Sequence, residues 1–402
     1  MPEVLEGRKV LLGVCGGIAI CKAVQLASDL RKFGAELKVI MTPAAVEMIS
    51  PDVFSSIASC EVFTDINEVY AGWIPHIELS KWAEVFVVAP ATANTIAKIA
   101  HGIADNLLTL CSVVYQGRRK LLVPSMNVRM YYNPVVQKNV GKLRASGWKV
   151  VEPAEGHLAC GEKGKGRFPE VDEVLDEIRS AFVEKRLEGK KILITAGPTR
   201  EYIDPVRFIS NPSSGKMGFA LARVARWMGA NVYLISGPVE ISPPPGVKLE
   251  RVDSAIEMYR KVMEHIEDMD VIIMAAAVAD YTIPNPSKCK IKKDEEILML
   301  ELHRTLDILK EIAQRYTDKF VVGFAAETED HLENARKKLF EKNLDMIVVN
   351  DVSRRDIGFG SEKNEVVIIS RDGERRIPKS DKVDVAFSIL NLLCDYLRCN
   401  GI

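Results

Sequence analysis

KVLLGVCGGIAICKAVQLASDLRKFGAELKVIM, residues 9–41, holds the fold of this chain in miniature. Residues 9–15 are a run rich in Leu and Val that stops at Gly16-Gly17. Residues 18–33 repeat apolar positions with helical spacing and stop at Gly34, a residue suited to the left-handed backbone that ends a helix. Residues 36–41 are again strand-like. Strand, glycine turn, helix and strand in this order predict a parallel pair with its crossover helix. Residues 84–89 (EVFVVA) and 120–123 repeat the strand signal, so a doubly wound sheet is expected.

The alternation recurs after residue 190. Strands are expected at 191–195, 231–235, 270–275, 320–325 and 345–349, with helices at 215–229, 254–266, 305–316, 329–342 and 380–398. Residues 288–302, KCKIKKDEEILMLEL, alternate in polarity and predict a two-stranded arm. Apolar residues at 171, 174, 175, 178 and 182 share one helix face, and the charged run Glu184-Lys185-Arg186 follows. A chain of 402 residues exceeds one ordinary core, so domains of residues 1–186 and 187–402 are expected, both doubly wound, Rossmann-like α/β.

Bulk properties exclude several classes. A formal charge of −1 gives no general attraction to nucleic acid or an anionic membrane. No stretch reaches about 18 uninterrupted apolar residues, so no membrane span is expected. Residues 1–9 have no apolar leader, which predicts a cytoplasmic protein. The eight cysteines are scattered without a CxxC pair, which reads as reduced thiols rather than a disulfide frame or zinc site.

Five segments of the first half carry possible chemistry. Gly16, Gly17, Ile18 and Ala19 close a strand and open a helix, where backbone N–H groups can face a phosphate; any tight turn would also use these glycines. The segment lacks the GxGxxG fingerprint, which argues against a nicotinamide cofactor. Pro90, Ala91, Thr92 and Asn94 lie in PATANT after the 84–89 strand; small residues let backbone approach a planar ring, though capping alone accounts for Thr92 or Asn94. Met126 and Asn127 lie in PSMN after another strand, where ligands of such sheets bind. His76 is isolated in PHIEL, a placement more often structural than catalytic. Residues 156–167, GHLACGEKGKGR, read as a mobile, basic flap carrying Cys160, a better setting for thiol chemistry than a core.

In this order, GGIA, PATANT, PSMN, the PHIEL histidine and the flap cysteine resemble the homo-oligomeric flavin-containing cysteine decarboxylases over residues 8–182, most closely phosphopantothenoylcysteine decarboxylase. The resemblance implies a flavodoxin-like FMN-binding domain with Gly16, Gly17, Ile18, Ala19, Thr42, Pro90, Ala91, Thr92, Asn94 and Met126 around the cofactor. It further implies His76 as base or substrate-positioning group, Asn127 as the carboxylate ligand and Cys160 as the acid that protonates the product. Ile20-Cys21 depart from the Ala-Tyr often found after GGIA. The chemistry explains the flavin: loss of CO2 from a cysteine amide needs an electron sink, and oxidising the thiol to a thioaldehyde creates one.

The second half has its own set. SNPSSGKMG, residues 210–218, places hydroxyls, an amide, a glycine and a lysine at a helix start, an anion cradle or an elaborate cap. The P-loop pattern is absent, which excludes that class of kinase or ATPase. AAAVAD, residues 275–280, ends a strand with small residues and an acid able to orient a nucleotide or Mg2+; the alanines equally serve helix–sheet packing. KIKK, residues 290–293, is a cationic run that is either a solvated face or a partner for a triphosphate.

These segments, with VGFAAE (322–327), Lys338, KNLD (342–345) and VND (349–351), are similar to phosphopantothenate–cysteine ligase over residues 190–400. The resemblance implies activation of the phosphopantothenate carboxylate by CTP and Mg2+ as an acyl-cytidylate, then attack by cysteine. It places Asn211 and Lys290 at the reacting group. Ser213, Ser214, Gly215, Lys216, Met274, Ala275, Ala276, Asp280, Leu306, Asp307, Ile308, Leu309, Phe324, Lys338 and Lys342 then belong to the substrate and nucleotide site, with Asp280 at the metal. Arg304-Thr305-Leu306-Asp307 replaces the usual Asn-Pro-Asp but keeps the acid. A homo-oligomer, a dodecamer of decarboxylase trimers and ligase dimers, is likewise implied.

The two halves fit one route in coenzyme A biosynthesis, because the ligase product, 4'-phosphopantothenoylcysteine, is the decarboxylase substrate and yields 4'-phosphopantetheine. A flavin-binding regulatory subunit would be expected to lack His76, Asn127 or Cys160, and all three are present. A prenyl-transferring flavoprotein would need neither the flap cysteine nor the PSMN asparagine.

Overall fold

A computed structural model describes residues 4–64, 74–157, 161–292, 297–327, 331–351, 356–358 and 360–399; Cys160 and Lys293 lie outside these. The chain divides into two compact units, Glu3–Val183 and Glu184–Ile402.

The first unit runs β1 (Lys9–Val14), α1 (Ile20–Lys32), β2 (Glu36–Met41), α2 (Pro43–Met48), α3 (Pro51–Ala58), β3 (Glu61–Phe63), α4 (Pro75–Trp82), β4 (Val85–Ala91) and α5 (Ala93–His101). It continues with α6 (Leu107–Val114), β5 (Lys120–Pro124), α7 (Val128–Tyr131), α8 (Pro134–Ala145), β6 (Trp148–Val150), β7 (Ala154–His157), β8 (Lys163–Arg167) and α9 (Val171–Phe182). Six strands form a parallel sheet in the order β3-β2-β1-β4-β5-β6. Covered on both faces, such a sheet needs apolar residues in both phases of the strand alternation. In β1, Val10, Leu12 and Val14 enter one core with Leu26, Leu30 and Leu175, while Leu11 enters the other with Phe86, Leu108 and Trp148. The helix read from the 171–182 spacing is α9, and its five apolar positions are buried in the first of these cores. The flap segment forms at its base an antiparallel hairpin, β7 with β8.

The second unit runs β9 (Lys191–Ala196), β10 (Arg200–Tyr202), β11 (Phe208–Ser210), α10 (Lys216–Trp227), β12 (Asn231–Ser236), β13 (Lys248–Arg251), α11 (Ala255–His265) and β14 (Val271–Met274). Then follow β15 (Tyr281–Thr282), β16 (His303–Arg304), α12 (Ile308–Arg315), β17 (Phe320–Glu327), α13 (His331–Glu341), β18 (Met346–Asp351), β19 (Lys363–Ser370), β20 (Gly373–Asp381) and α14 (Lys382–Cys399). Its sheet order is β13-β12-β9-β14-β17-β18-β19-β20. The first six are parallel and β19 and β20 are antiparallel additions at the edge.

Three expectations are corrected. The hairpin β19–β20 is not among the expected strands, although Asp372-Gly373 at its turn is a hairpin signal; β20 is an exposed edge, rich in charge and buried only at Ile377, so it shows no apolar strand pattern. The helix expected from residue 305 starts at Ile308, because Asp307 caps it by accepting from Lys310 N at 3.1 Å. The two-stranded arm over 288–302 is not seen among the described residues. A short β15–β16 ladder lies outside it instead, and Ile297, Leu298, Met299 and Leu300 stay exposed, with no core to fix them in a sheet. No helix among the described residues is long and apolar enough to cross a membrane.

Candidate functional site

In each unit the strand order reverses beside the first strand, between β1 and β4 and between β9 and β14. The crevice outside the carboxyl ends of such strands is where doubly wound sheets bind ligands.

In the first unit this crevice gathers three loops. Gly16 passes so close to the first turn of α2 that a Cβ on it would lie 2.5 Å from the Ala44 carbonyl oxygen. A Cβ on Gly17 would lie 3.6 Å from the Thr92 methyl group. Thr42 caps α2, its hydroxyl accepting from Ala45 N at 3.3 Å, and its own N–H donates to Val14 O at 3.0 Å. Helix α1 begins at Ile20 with no side-chain cap and no acid in its first turn; Ile20 N and Lys22 N donate to the carbonyls of Gly17 and Ala19, each at 2.9 Å, and the positive end of the helix faces the crevice without a competing side chain. Ile18 beside it is 74% exposed. Thr92 caps α5, accepting from Thr95 N at 3.4 Å. Asn94 is exposed and caps nothing among the described residues, so capping accounts for one of the two and not the other. Pro90 and Ala91 are buried.

The PSMN segment joins the flap. Met126 N donates to Gly166 O at 2.9 Å, and a Cβ on Gly166 would lie 2.3 Å from Met126 O. Asn127 Oδ1 accepts from Arg129 N, and its Nδ2 donates to the Glu162 carboxylate, both at 2.8 Å. The Arg129 guanidinium meets the same carboxylate at 2.6 Å. His76 sits in the first turn of α4, and its ring Nδ1 is buried with no hydrogen-bond partner among the described residues. Burial pushes the Cys111 thiol up to about 12 and also raises that of Cys15, so neither offers an accessible thiolate. Cys160 lies outside the described residues.

In the second unit β9 and β14 are stitched together at their ends. Ala276 N donates to Thr195 Oγ1 at 3.2 Å, and Ala277 N donates to Gly197 O at 2.9 Å. Asn211 Nδ2 donates to the carbonyls of Ala277 and Val278, each at 3.2 Å, and so ties the SNPSSG turn to that strand end. Gly215, at φ +76, is the N-cap of α10, which has no side-chain cap. Ser213, Ser214, Gly215, Lys216, Ala275, Ala276 and Phe324 line one pocket. Met274 is buried, its sulfur accepting from Thr195 Oγ1, so its side chain belongs to the core.

A second group stands apart from that pocket's lining. Lys342 Nζ meets the Asp307 carboxylate at 2.7 Å; Leu306 is exposed, Ile308 is buried, and Leu309 and Lys338 are half-buried. Asp280 is exposed, and its carboxylate has no partner among the described residues, while its carbonyl accepts from Thr305 N at 2.9 Å. Lys290 is exposed. Its neighbour Ile291 is held on both sides: the N–H donates to Asp204 Oδ2 at 3.2 Å and the carbonyl accepts from the Arg207 guanidinium at 3.2 Å. Asp204 is 1% exposed and accepts in addition from Val206 N and Arg207 N, so it fixes where the cationic run begins.

Three pocket residues, Gly358, Asn364 and Lys382, had no motif to announce them. Asn364 belongs to β19 and Lys382 opens α14; the only local hint was the Asp372-Gly373 turn that brings them to the crevice.

Comparison with known proteins agrees with this division. The family described as "Flavoprotein" matches residues 1–183, and that described as "DNA/pantothenate metabolism flavoprotein C-terminal domain" matches residues 187–396. The coenzyme A biosynthesis bifunctional protein of Bacillus subtilis (strain 168) is 46% identical over 403 residues, covering 99% of this chain and 99% of the relative. That of Vibrio cholerae serotype O1 is 41% identical over 393 residues, covering 97% and 98%. A crystal structure of the C-terminal domain of such a bifunctional protein is 43% identical and covers 54% of this chain and 99% of that one, at a TM-score of 0.47. The chain therefore belongs to the family of coenzyme A biosynthesis bifunctional proteins, flavoprotein enzymes that join a decarboxylase to a phosphopantothenate–cysteine ligase.

Proposed function

We propose that residues 1–186 bind FMN and decarboxylate 4'-phosphopantothenoylcysteine, and that residues 187–402 make that substrate from 4'-phosphopantothenate and cysteine with CTP and Mg2+. One observation carries the reading: each unit starts an uncapped helix, α1 or α10, at the switch point of its own parallel sheet. Two anion-ready crevices in one chain match two reactions on phosphorylated substrates.

The first crevice fits a flavin mononucleotide. The open first turn of α1 suits a phosphate, the small residues at Gly16, Gly17, Ala44 and Ala93 suit a flat ring, and Asn94 is left to hydrogen-bond it. When bound, FMN supplies the two-electron oxidation of the substrate thiol that makes decarboxylation possible, and later returns the electrons. Asn127 holds the departing carboxylate; its Nδ2 already donates to a carboxylate, that of Glu162. The unpartnered Nδ1 of His76 positions the substrate or takes its proton. Cys160 returns a proton to the product. His76 lies on α4 and Asn127 at the N-cap of α7, and the family resemblance suggests a site completed by a second copy in a homo-oligomer.

In the second crevice the serines and N–H groups before α10 hold phosphate, and Asn211 orients the acyl group. Asp280, free and exposed, takes Mg2+ with the nucleotide, while Asp307 and Lys342 contact it further along. Lys290 offsets charge as pyrophosphate leaves. A cytoplasmic location follows for an enzyme of such substrates.

Two half-assays test the assignment. With CTP, Mg2+ and phosphopantothenate but no cysteine, the chain should release pyrophosphate and form an acyl-cytidylate. With phosphopantothenoylcysteine alone, it should release CO2. Pyrophosphate release that ignores phosphopantothenate would contradict the ligase half; CO2 release that persists after flavin removal would contradict the other.

A further inference from the structure

The pocket lined by Ser213 and Ser214 is lined also by Lys382. This lysine is the first residue of the eighteen-residue α14 and only 8% exposed. Its Nζ donates to the Ser361 carbonyl at 2.6 Å. Lys216, the first residue of α10, donates to the Gly360 carbonyl at 3.0 Å and meets the Glu362 carboxylate. Two ammonium groups thus reach one short segment, 360–362, from two helix starts that line the same pocket.

A purely structural lysine at this depth would be expected to sit against a carboxylate, since burying an unpaired charge is costly. Among the described residues Lys382 has only a backbone carbonyl within reach. Burial, and then repulsion from Lys216, hold its ammonium below the ordinary lysine range. Two helix N-termini and two lysines meet here, with the Glu362 carboxylate on Lys216 and Asp384 in the first turn of α14, and an anion held by both ammonium groups would be stabilised.

We propose that Lys382 and Lys216 form a clamp on a phosphate group of a bound ligand, which makes Lys382 a binding residue of the ligase reaction. The inference rests on reading this crevice as the nucleotide and substrate site. The phosphate belongs either to the nucleotide tail or to the phosphorylated acid, and the chemistry of recognition is the same for both.

The test is isothermal titration of the full chain and of its Lys382→Gln and Lys382→Arg variants. The ligands are CTP and phosphopantothenate, with cytidine and pantothenate as phosphate-free competitors. Lys382→Gln should weaken one phosphorylated ligand by about ten- to a hundredfold, the range for a hydrogen bond to a charged group. It should leave the phosphate-free counterpart unchanged, and Lys382→Arg should recover most of the affinity. Loss confined to CTP assigns the clamp to the triphosphate; loss confined to phosphopantothenate assigns it to that substrate. Wild-type and Lys382→Gln chains that bind both phosphorylated ligands equally would overturn the clamp alone, as would equal weakening of phosphorylated and phosphate-free ligands. A wild-type chain that binds neither CTP nor phosphopantothenate would overturn the reading of the crevice, and the clamp with it.

Discussion

The two units lay their parallel strands in the same order and open the same crevice, yet they fill it differently. In the first, residues 15–19 carry the chain from β1 to α1, and the crevice is lined by glycine, alanine and a few hydroxyls. In the second, residues 197–215 separate β9 from α10, and they insert the β10–β11 hairpin, the Asp204–Arg207 clamp and the serine turn. The edge hairpin β19–β20 then brings in Asn364 and Lys382. On the proposed reading, the short loop leaves room for a bound ring that supplies the difficult chemistry, and the long one builds a charged pocket in which the protein itself handles phosphates. The sheet decides where the site is, and the first loop decides what it does.

The largest expected effect separates the crevices by activity. Asn211→Asp sets a carboxylate against the carbonyls of Ala277 and Val278, and ligation should fall by about a hundred- to a thousandfold, as for loss of one oriented donor. Decarboxylation of supplied phosphopantothenoylcysteine should be unchanged, and equal losses would break the comparison.

Next come two tightly packed glycines, Gly16 in the β1–α1 loop and Gly218 in the first turn of α10. Gly16→Ala forces a methyl group against the Ala44 backbone, and Gly218→Ala forces one to 2.5 Å from Ala196 Cβ. Each should cost its own unit about 1–3 kcal/mol. Flavin absorbance retained through gel filtration should drop for Gly16→Ala only, and pyrophosphate release for Gly218→Ala only; a crossed result would show that the two sites are not independent.

The acid response of the second unit has one identifiable source in Asp204. Burial raises the Asp204 carboxyl, but backbone N–H groups of Val206, Arg207 and Ile291, with the Arg207 guanidinium, outweigh it and hold it below the ordinary range. A folded-state pKa below the unfolded value means a contribution fully present above about pH 3.9 and lost as pH falls through the lower folded value. Calorimetric scans should therefore show the second unit losing this stability in acid, with Asp204→Asn less stable at neutral pH and less sensitive below it. An unchanged acid slope in the variant would remove Asp204 from this role.

The smallest effect sharpens the capping question in the first crevice. Thr92→Ala should lower stability by about 1 kcal/mol, whereas Asn94→Ala should change it by less than about 0.5 kcal/mol. Weaker flavin retention in the Asn94 variant alone would mark it as a ligand contact; identical behaviour of the two would not.

Much of this was legible in the residues. Strands β1, β4 and β9 read clearly because burial on both faces demands unbroken apolar runs. Helix α9 read clearly because its buried face is a regular stripe. β20 did not, since an exposed edge strand has no such pattern and only its Asp372-Gly373 turn spoke for it. The apolar run 297–302 looked like a sheet segment but is exposed, because alternation records polarity and not what lies opposite. At the sites, the turns that end strands β1, β4, β5 and β14 were visible as motifs. Lys382 lies in the expected 380–398 helix, but no motif marked it as a site residue, and its depth comes only from tertiary packing.

The central claim is that one chain performs both steps in order, ligation in the second unit and decarboxylation in the first. It is tested most directly by mass spectrometry of the products after the flavin-loaded chain is incubated with phosphopantothenate, cysteine, CTP and Mg2+. The account predicts 4'-phosphopantetheine, with phosphopantothenoylcysteine as a transient. Phosphopantothenoylcysteine that accumulates without any decarboxylated product, or a mixture that holds only starting materials, would contradict it.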